Sequence, residues 1–362
     1  MLKHLKLTNI GPADAELEFG KRLNLITGDN GLGKSFLMDI AWWSMTRKWP
    51  TEVNPKLTSG KKALPRGEGE AKIGFSFTGK TKPVNYVSTY ARRDEAWTGQ
   101  QGRPANPGLV FYAMADGGFA VWDPARNYWR TQGGVDVQDR PAAYVFSPAE
   151  VWDGLPGNEA NWLCNGLIRD WAGWQKENGT AFRHLCAVLD VLSPTVEEKL
   201  SPGELTRISL DDARDMPTVR MPYGKDVAVV HASSGMRRVI ALAYFLVWCW
   251  EEHQKAAKLL SEPTTNQVVF LIDEVESHLH PTWQRRIIPA LLNVTQSLIG
   301  GAEVQVLAVT HSPLVMASVE PRFDEAMDAW FDLDLVAAQG EAQATVEFKK
   351  RPFLRFGDDS RR

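Results

Sequence analysis

Three cysteines stand in a chain of 362 residues, Cys164, Cys186 and Cys249, and none has a Cys-x-x-Cys partner. A disulfide framework and a zinc knuckle are therefore excluded as organising devices, and buried free thiols in a reducing compartment are expected. Long apolar runs are scarce as well. The longest, residues 239–250, falls well short of the ~20 residues that span a bilayer and reads as a buried helix. Residues 1–9 alternate Leu2, Leu5 and Leu7 with Lys3, His4 and Lys6, without the apolar core of a signal peptide. A cytoplasmic protein that makes no use of a membrane is the expectation. Charge of one sign is also missing: a formal net charge of -3 argues against a surface coated for nucleic acid, although a local basic groove stays open. There is neither an internal repeat nor a heptad register long enough for a coiled-coil arm.

What is present is 44% hydrophobic residues, ample for the core of one large or two modest domains. The chain is organised around Gly28, Asp29, Asn30, Gly31, Leu32, Gly33, Lys34 and Ser35, which fit the phosphate-binding pattern Gly, four residues, Gly, Lys, Ser. Glycines let the backbone curl until successive N–H groups face one anion, and the following helix adds its positive end. In this pattern Lys34 reaches the terminal phosphates and the Ser35 hydroxyl ligates Mg²⁺. The context agrees. Leu23, Leu25 and Ile26 mark a strand before the loop, and Phe36, Leu37, Ile40, Ala41 and Met45 recur at helical spacing after it.

In chain order, residues 3–8, 15–19 and 22–27 read as strands, so a strand pair precedes the loop. Residues 50–69, rich in Pro, Gly, Lys and Thr, mark an exit from the nucleotide core at residues 1–50 into an insertion at 51–205. Strand candidates at 71–77, 84–90, 109–114, 119–122 and 143–146 make residues 70–147 mostly β. Fourteen tryptophans are many for this length. Trp97, Trp122 and Trp129 lie in or beside the β segment, where stacking on bases is the attractive reading and core packing the ordinary one. Residues 151–200 turn helical, with Leu163, Leu167, Trp171 and Trp174 on one stripe and Phe182, Leu185, Leu189 and Leu192 on a second. Residues 207–222 suit a linker or surface strand.

The chain then returns to the nucleotide core over residues 206–348. His231, Ala232, Ser233, Ser234, Gly235, Met236, Arg237 and Arg238 open a helix whose first turn exposes free N–H groups beside two hydroxyls, a second anion-binding surface. A serine cap gives the same pattern. The apolar run 268–272 ends in Asp273 and Glu274. A buried parallel strand delivers acids at its carboxyl end, where open α/β sheets place their ligands. Asp273 would hold the Mg²⁺ shell, and Glu274 would orient or deprotonate the attacking water. A second apolar strand, 304–309, ends at His311, placed to touch the γ-phosphate. Strands at 330–336 and 344–348 close the core, and Lys350, Arg351, Arg355, Arg361 and Arg362 make a basic tail over 349–362.

In this order the motifs resemble the soluble ABC-type ATPases of the SMC, RecF and OLD group, which includes AAA-labelled members of bacterial anti-phage systems. Residues 28–35 are similar to the Walker A loop, Ser233, Ser234 and Gly235 to the signature motif, Asp273 and Glu274 to Walker B, residues 276–281 to the OLD-type D-loop and His311 to the switch histidine. The resemblance covers about the first fifty residues and about 225–315. It implies an α/β fold: an ABC-type P-loop ATPase head with a mixed sheet, interrupted by a β-rich plus helical insertion lobe. It implies ATP and Mg²⁺ as ligands, with Asn30, Gly31, Gly33, Lys34, Ser35 and Phe36 holding nucleotide, and Ser35 and Asp273 holding the metal. It also implies a head-to-tail homodimer or higher homo-oligomer in which Ser233 and Gly235 of one subunit close over ATP on Lys34 of the other. Met236 stands where the group usually has a polar or acidic residue, and for the glutamine loop Gln100, Gln101, Gln132 and Gln138 are all open. About fifty residues follow His311, too few for an OLD nuclease domain. A separately encoded effector protein is thus the expected partner, with DNA as a candidate trigger. An ATP-gated scaffold that hydrolyses little is the second reading, and a DNA repair ATPase a further one. Glu274 favours the enzyme, because a pure scaffold needs no base beside the metal-binding acid.

Overall fold

The protein, described here as a computed structural model, is defined over residues 1–80, 82–99, 103–157, 160–336 and 344–353. Alternation in the first strand sets the first sheet. β1 (Leu2–Thr8) buries Leu2, Leu5 and Leu7 and pairs antiparallel with β2 (Ala15–Glu18) and β4 (Lys72–Thr78). With β5 (Pro83–Ala91) and β6 (Ala96–Trp97) they form a five-stranded sheet, ordered β2-β1-β4-β5-β6.

The central sheet has eight strands. β3 (Leu23–Gly28), β7 (Leu109–Ala113), β12 (Gln267–Ile272), β13 (Glu303–Val309) and β14 (Ala329–Val336) are its parallel core, in the order β7-β12-β13-β3-β14. Antiparallel β8 (Phe119–Trp122) and β11 (Ala143–Phe146) extend one edge and β15 (Thr345–Arg351) closes the other. Every residue of β12 is buried, which is why its sequence runs apolar without alternation: both faces are covered. On one face lie helix α1 (Lys34–Thr46) and the five-stranded sheet, and on the other α2 (Leu167–Glu177), α3 (Thr180–Val191) and the 27-residue α4 (Ser234–Leu260). Further helices α5 (Ile287–Leu298) and α6 (Pro313–Val319) flank β13.

This arrangement changes the reading of residues 51–205 as an insertion lobe. β7, β8 and β11 belong to the central sheet, and β4 and β5 pair onto β1 and its sheet. The physical reason is burial. All five residues of β7 are buried, so the strand needs neighbours on its edges and layers on both faces, and the parallel β12 supplies one edge, its residues 159 positions further along the chain than their partners. Only β9 (Tyr128–Gln132) and β10 (Val135–Arg140), of this β-rich stretch, form a sheet of their own. The helix expected from Trp152 to Trp174 is also broken. Gly154 and Gly166 take positive φ of 105° and 86°, and between them Trp162–Cys164 pairs with Leu155–Pro156, which puts Leu163 on a short strand and not on the helical stripe.

Trp97 and Trp122 are buried, and Trp43 stacks on Trp49 with ring centroids 5.2 Å apart, so these rings fill the core and are not open to bases. Trp129, half-buried on the hairpin, donates its Nε1–H to Asn127. Cys164, Cys186 and Cys249 are free, and no helix among the described residues is long and apolar enough to cross a membrane. The basic tail begins later than expected. Lys349, Lys350 and Arg351 lie on β15, where Lys349 pairs with Glu347 and Arg351 reaches Asp332 and Asp334 on β14. Arg355, Arg361 and Arg362 lie outside the described residues.

The far end of α4 is fastened by a buried histidine. His253 Nδ1 lies 2.7 Å from Asp123 Oδ1, just past β8, and its Nε2 accepts the Thr265 N–H at 2.9 Å. Because Nε2 accepts, the proton sits on Nδ1 and is donated to the carboxylate. Asp123 also accepts the Ala125 N–H and lies 3.5 Å from Arg126, so His253→Ala removes one of its partners and leaves the Thr265 N–H without its acceptor; it should cost about 2 kcal/mol of stability, read from urea unfolding. A loss below ~0.5 kcal/mol, the range of ordinary surface changes, would show that the helix end is held by something else.

Candidate functional site

β3 ends in the phosphate loop at the carboxyl edge of the parallel strands. Gly28 (φ 130°) passes so close to β14 that a Cβ would meet the Leu333 carbonyl at 2.3 Å, and Gly33, the N-cap of α1, sits at φ 91°. Neither position accepts a side chain without strain. Asn30 and Gly31 are exposed at the tip of the loop, whereas Phe36 packs its ring on Gly11. Lys34 is buried, its Nζ donating to the Gly28 and Asp29 carbonyls at 2.9 and 2.5 Å. Burial lowers the Lys34 pKa, opposed by the nearby carboxylates of Asp273, Asp29, Glu274 and Glu276.

Asp29 belongs to the loop itself; Asp273, Glu274 and Glu276 come from the next strand but one. As β12 leaves the sheet, the Asp273 N–H bonds to the Ala113 carbonyl and the Val275 N–H to the Val309 carbonyl, which fixes the acids between the ends of β7 and β13. Asp273 is fully buried, and neither carboxylate oxygen has a hydrogen bond of normal geometry. Burial pushes its pKa up to about 6, opposed by the nearby Ser35 hydroxyl and reinforced by Glu274. A buried acid without a partner is costly, and beside a hydroxyl and a lysine it fits a hard divalent cation. Among the described residues no cluster of three or more His, Cys, Asp or Glu stands ready to hold a metal. A magnesium ion at Ser35 and Asp273 would therefore draw most of its shell from phosphate and water, its usual habit. Glu274 takes a left-handed φ of 48° and is partly exposed, and its charge is felt at Lys34, Arg238 and Asp273.

The signature residues form the start of α4. Ser233 is the N-cap, accepting the Met236 N–H at 3.4 Å, and both Ser233 and Ser234 are exposed. The capping reading and the exposed-hydroxyl reading therefore hold together. Gly235 is buried, and a Cβ there would meet the His278 carbonyl at 2.5 Å. His311, just beyond β13, places Nδ1 3.0 Å from the Gly28 carbonyl. The structure thus brings Lys34, Ser35, Asp273, Glu274 and His311 to one edge of the sheet and sets the serines on an outward surface. Gln132 and Gln138 sit on the β9–β10 hairpin, where Gln138 donates to Asn127. Gln100 and Gln101 lie outside the described residues.

Two groups escaped the sequence reading, Asp39 and Asp116, and two more, Arg238 and Glu276, entered it only as members of a motif. Arg238 is mostly buried and donates to the Asp273 and Glu274 carbonyls at 2.9 and 3.2 Å, tying α4 to the end of β12. Asp116, in the turn after β7, accepts N–H groups from Thr58, Ser59 and Gly118. Glu276 accepts the His311 N–H. Asp39 lies one helical turn beyond Ser35 on the same face of α1, a spacing that could have revealed it; it is buried and accepts a hydrogen bond from the Tyr112 hydroxyl at 2.8 Å.

Burial pushes the Asp39 pKa up to about 8. The folded chain then holds a proton that the unfolded chain releases between about pH 4 and pH 8, so this group erodes stability as pH rises through that window. Asp39→Asn keeps an acceptor for Tyr112 without the titration. Its melting temperature should exceed that of the parent by several degrees at pH 9 and by clearly less at pH 5, near the bottom of that window. Equal gains at both pH values would refute the burial account.

Comparison with known proteins identifies the family. Residues 23–317 match the family model described as "AAA domain, putative AbiEii toxin, Type IV TA system". The chain is similar to the Septu protein PtuA of Bacillus thuringiensis, 22% identical over 361 residues that span 99% of this chain and 80% of that one. It is similar to the Retron Vc95 probable ATPase of Vibrio cholerae serotype O1 biovar El Tor, 27% identical over 132 residues, 36% of this chain and 23% of that one. Among solved structures, the SMC head domain from Thermotoga maritima aligns with a TM-score of 0.46 at 16% identity, over 97% of this chain and 99% of that one. With most of its length inside the family model and the phosphate loop, buried aspartate and following glutamate on one sheet edge, the chain belongs to the AAA-domain ATPase family of that description.

Proposed function

We propose that the protein is a Mg²⁺-dependent ATPase whose hydrolysis takes place between two copies of the chain, acting in anti-phage defence together with a separately encoded effector. The observation that carries the reading is Asp273, buried with both oxygens unpartnered beside Ser35 and Lys34. When bound, Mg²⁺ would neutralise charge on the terminal phosphates. The remaining work belongs to the chain. The glycine-freed N–H groups of residues 28–35 cradle the phosphates, and Lys34 exchanges its two backbone carbonyls for phosphate oxygens. Glu274, free of hydrogen-bonding commitments to the sheet, orients the attacking water and takes its proton. His311 reaches the γ-phosphate from beside Gly28.

The exposed Ser233 and Ser234 suit a surface that meets nucleotide held by another copy, with the first-turn N–H groups of α4 as further donors. The Septu and retron names of the relatives support a defence role, and DNA or a phage product is the trigger this reading entails. Low net charge and buried tryptophans favour a protein effector over an extended nucleic-acid footprint.

Lys34→Ala should weaken ATP binding by at least ~10-fold in a fluorescent-nucleotide titration, and unchanged affinity would remove the phosphate-loop assignment. Glu274→Gln should bind ATP normally, hydrolyse it about 100-fold more slowly and accumulate as an ATP-bound dimer in size-exclusion chromatography. Ser233→Arg should spare nucleotide binding by the monomer while abolishing dimerisation and turnover. If that variant dimerises and turns over like the parent, the serine surface does not act between subunits.

A further inference from the structure

The acids after β12 are three, and the ATPase reading uses two. Glu276 is held in place by two overlapping turns: the Ser277 N–H bonds to the Glu274 carbonyl and the Leu279 N–H to the Glu276 carbonyl, both at 2.9 Å. With Val275 fastened to Val309, the Glu276 side chain is directed at the end of β13. One carboxylate oxygen, Oε1, accepts the backbone N–H of His311. The other, Oε2, is buried and has no hydrogen-bond partner.

The neighbours of His311 are held by other means. The Thr310 N–H reaches the Ile26 carbonyl on β3 at 3.1 Å. Ser312 caps α6 through Leu314 and Val315 and donates its hydroxyl to Gln284. Between these two anchors the His311 amide is fixed by Glu276. The His311 ring in turn contacts Gly28, whose carbonyl can only accept, so Nδ1 carries the proton and donates it. A neutral acceptor would satisfy one backbone N–H at less desolvation cost than a carboxylate with a buried, unpartnered oxygen. The charge of Glu276 is also felt at Lys34 and Arg238.

We propose that Glu276 is the positioning residue of the switch histidine: its carboxylate fixes the His311 main chain between β13 and α6 and thereby sets the imidazole against Gly28, where the terminal phosphate is read. Glu276 acts through His311 and does not itself activate water. The kinetic part of this inference rests on the ATPase reading above; the part that concerns the ring in the nucleotide-free protein does not.

The test combines a mutant cycle with histidine NMR. Glu276→Ala should lower kcat at least ~10-fold with ATP affinity, measured in EDTA, changed less than ~2-fold. Glu276→Gln, isosteric and still able to accept the His311 N–H, should recover most of that loss, in contrast to Glu274→Gln. In a His311→Ala background, Glu276→Ala should add less than ~2-fold. In nucleotide-free protein, the long-range ¹H–¹⁵N spectrum should show the His311 ring locked as the Nδ1–H tautomer in the parent, Glu274→Gln and Glu276→Gln, and released to tautomer averaging in Glu276→Ala. Multiplicative losses in the double variant, a Glu276→Gln as inactive as Glu274→Gln, or an unaltered His311 signal in Glu276→Ala would each overturn the proposal. Failure of the ATPase reading has a different signature: Lys34→Ala would bind ATP normally and no variant would alter turnover, while the NMR comparison would still be decided.

Discussion

A carboxylate kept from water without a hydrogen bond is among the more expensive things a fold can contain, and Asp273 is one. Much of the neighbouring structure serves to hold it there. The all-apolar β12 carries it to the sheet edge, the β7 and β13 carbonyls take the amides on either side, and Arg238 clasps the peptide carbonyls that follow. Lys34 faces it from the next loop, with a pKa that burial alone would drive lower than its acidic neighbours allow. The site is thus strained electrostatically in the sense that favours a cation, and the scaffold around it is built from contacts too numerous to relax by moving one side chain.

How much of this was legible in the sequence depends on the distance over which each signal acts. The phosphate loop, the acid-terminated strand and the serine-capped helix are local patterns, and each stands where its spacing placed it. Residues 70–147 show the opposite. Their strands were visible as strands, but membership of the central sheet depends on β12, far along the chain, and nothing in residues 109–113 names that partner. The helix expected from Trp152 to Trp174 failed because periodicity was carried across Gly154 and Gly166, whose positive φ turns the chain. Asp39 was missed because an isolated acid in an amphipathic helix looks solvated until packing shows it buried; Asp116 because a turn acid looks solvated until its N–H partners are seen; Arg238 was read only as part of a helix opening. Glu276 was seen only as one letter of a motif; its function is a contact with an amide 35 residues away.

The same contacts divide the site into an inner and an outer part. The inner part, Lys34, Ser35, Asp273 and the His311 main chain, is tied to strand ends and to itself. The outer part, Ser233 and Ser234, is exposed but mounted on Gly235, which lies against the His278 carbonyl with no room for even a methyl group. Small residues at such a contact let two backbones touch, and touching backbones transmit displacement with little slack.

Helix α4 joins these parts in a way that its length makes consequential. Near its first turn it is fastened to the peptides of Asp273 and Glu274 through Arg238, and about two turns before its end His253 fastens it to Asp123 and to Thr265, two residues before β12 begins. At 1.5 Å per residue the stretch between the two latches is about 22 Å long, and both latches hold to residues flanking the same strand, as a bar is bolted at two points to one door. Such a bar has no pivot. A push on the serine face is therefore passed to the residues at both ends of the metal-binding strand through side chains already in contact with them.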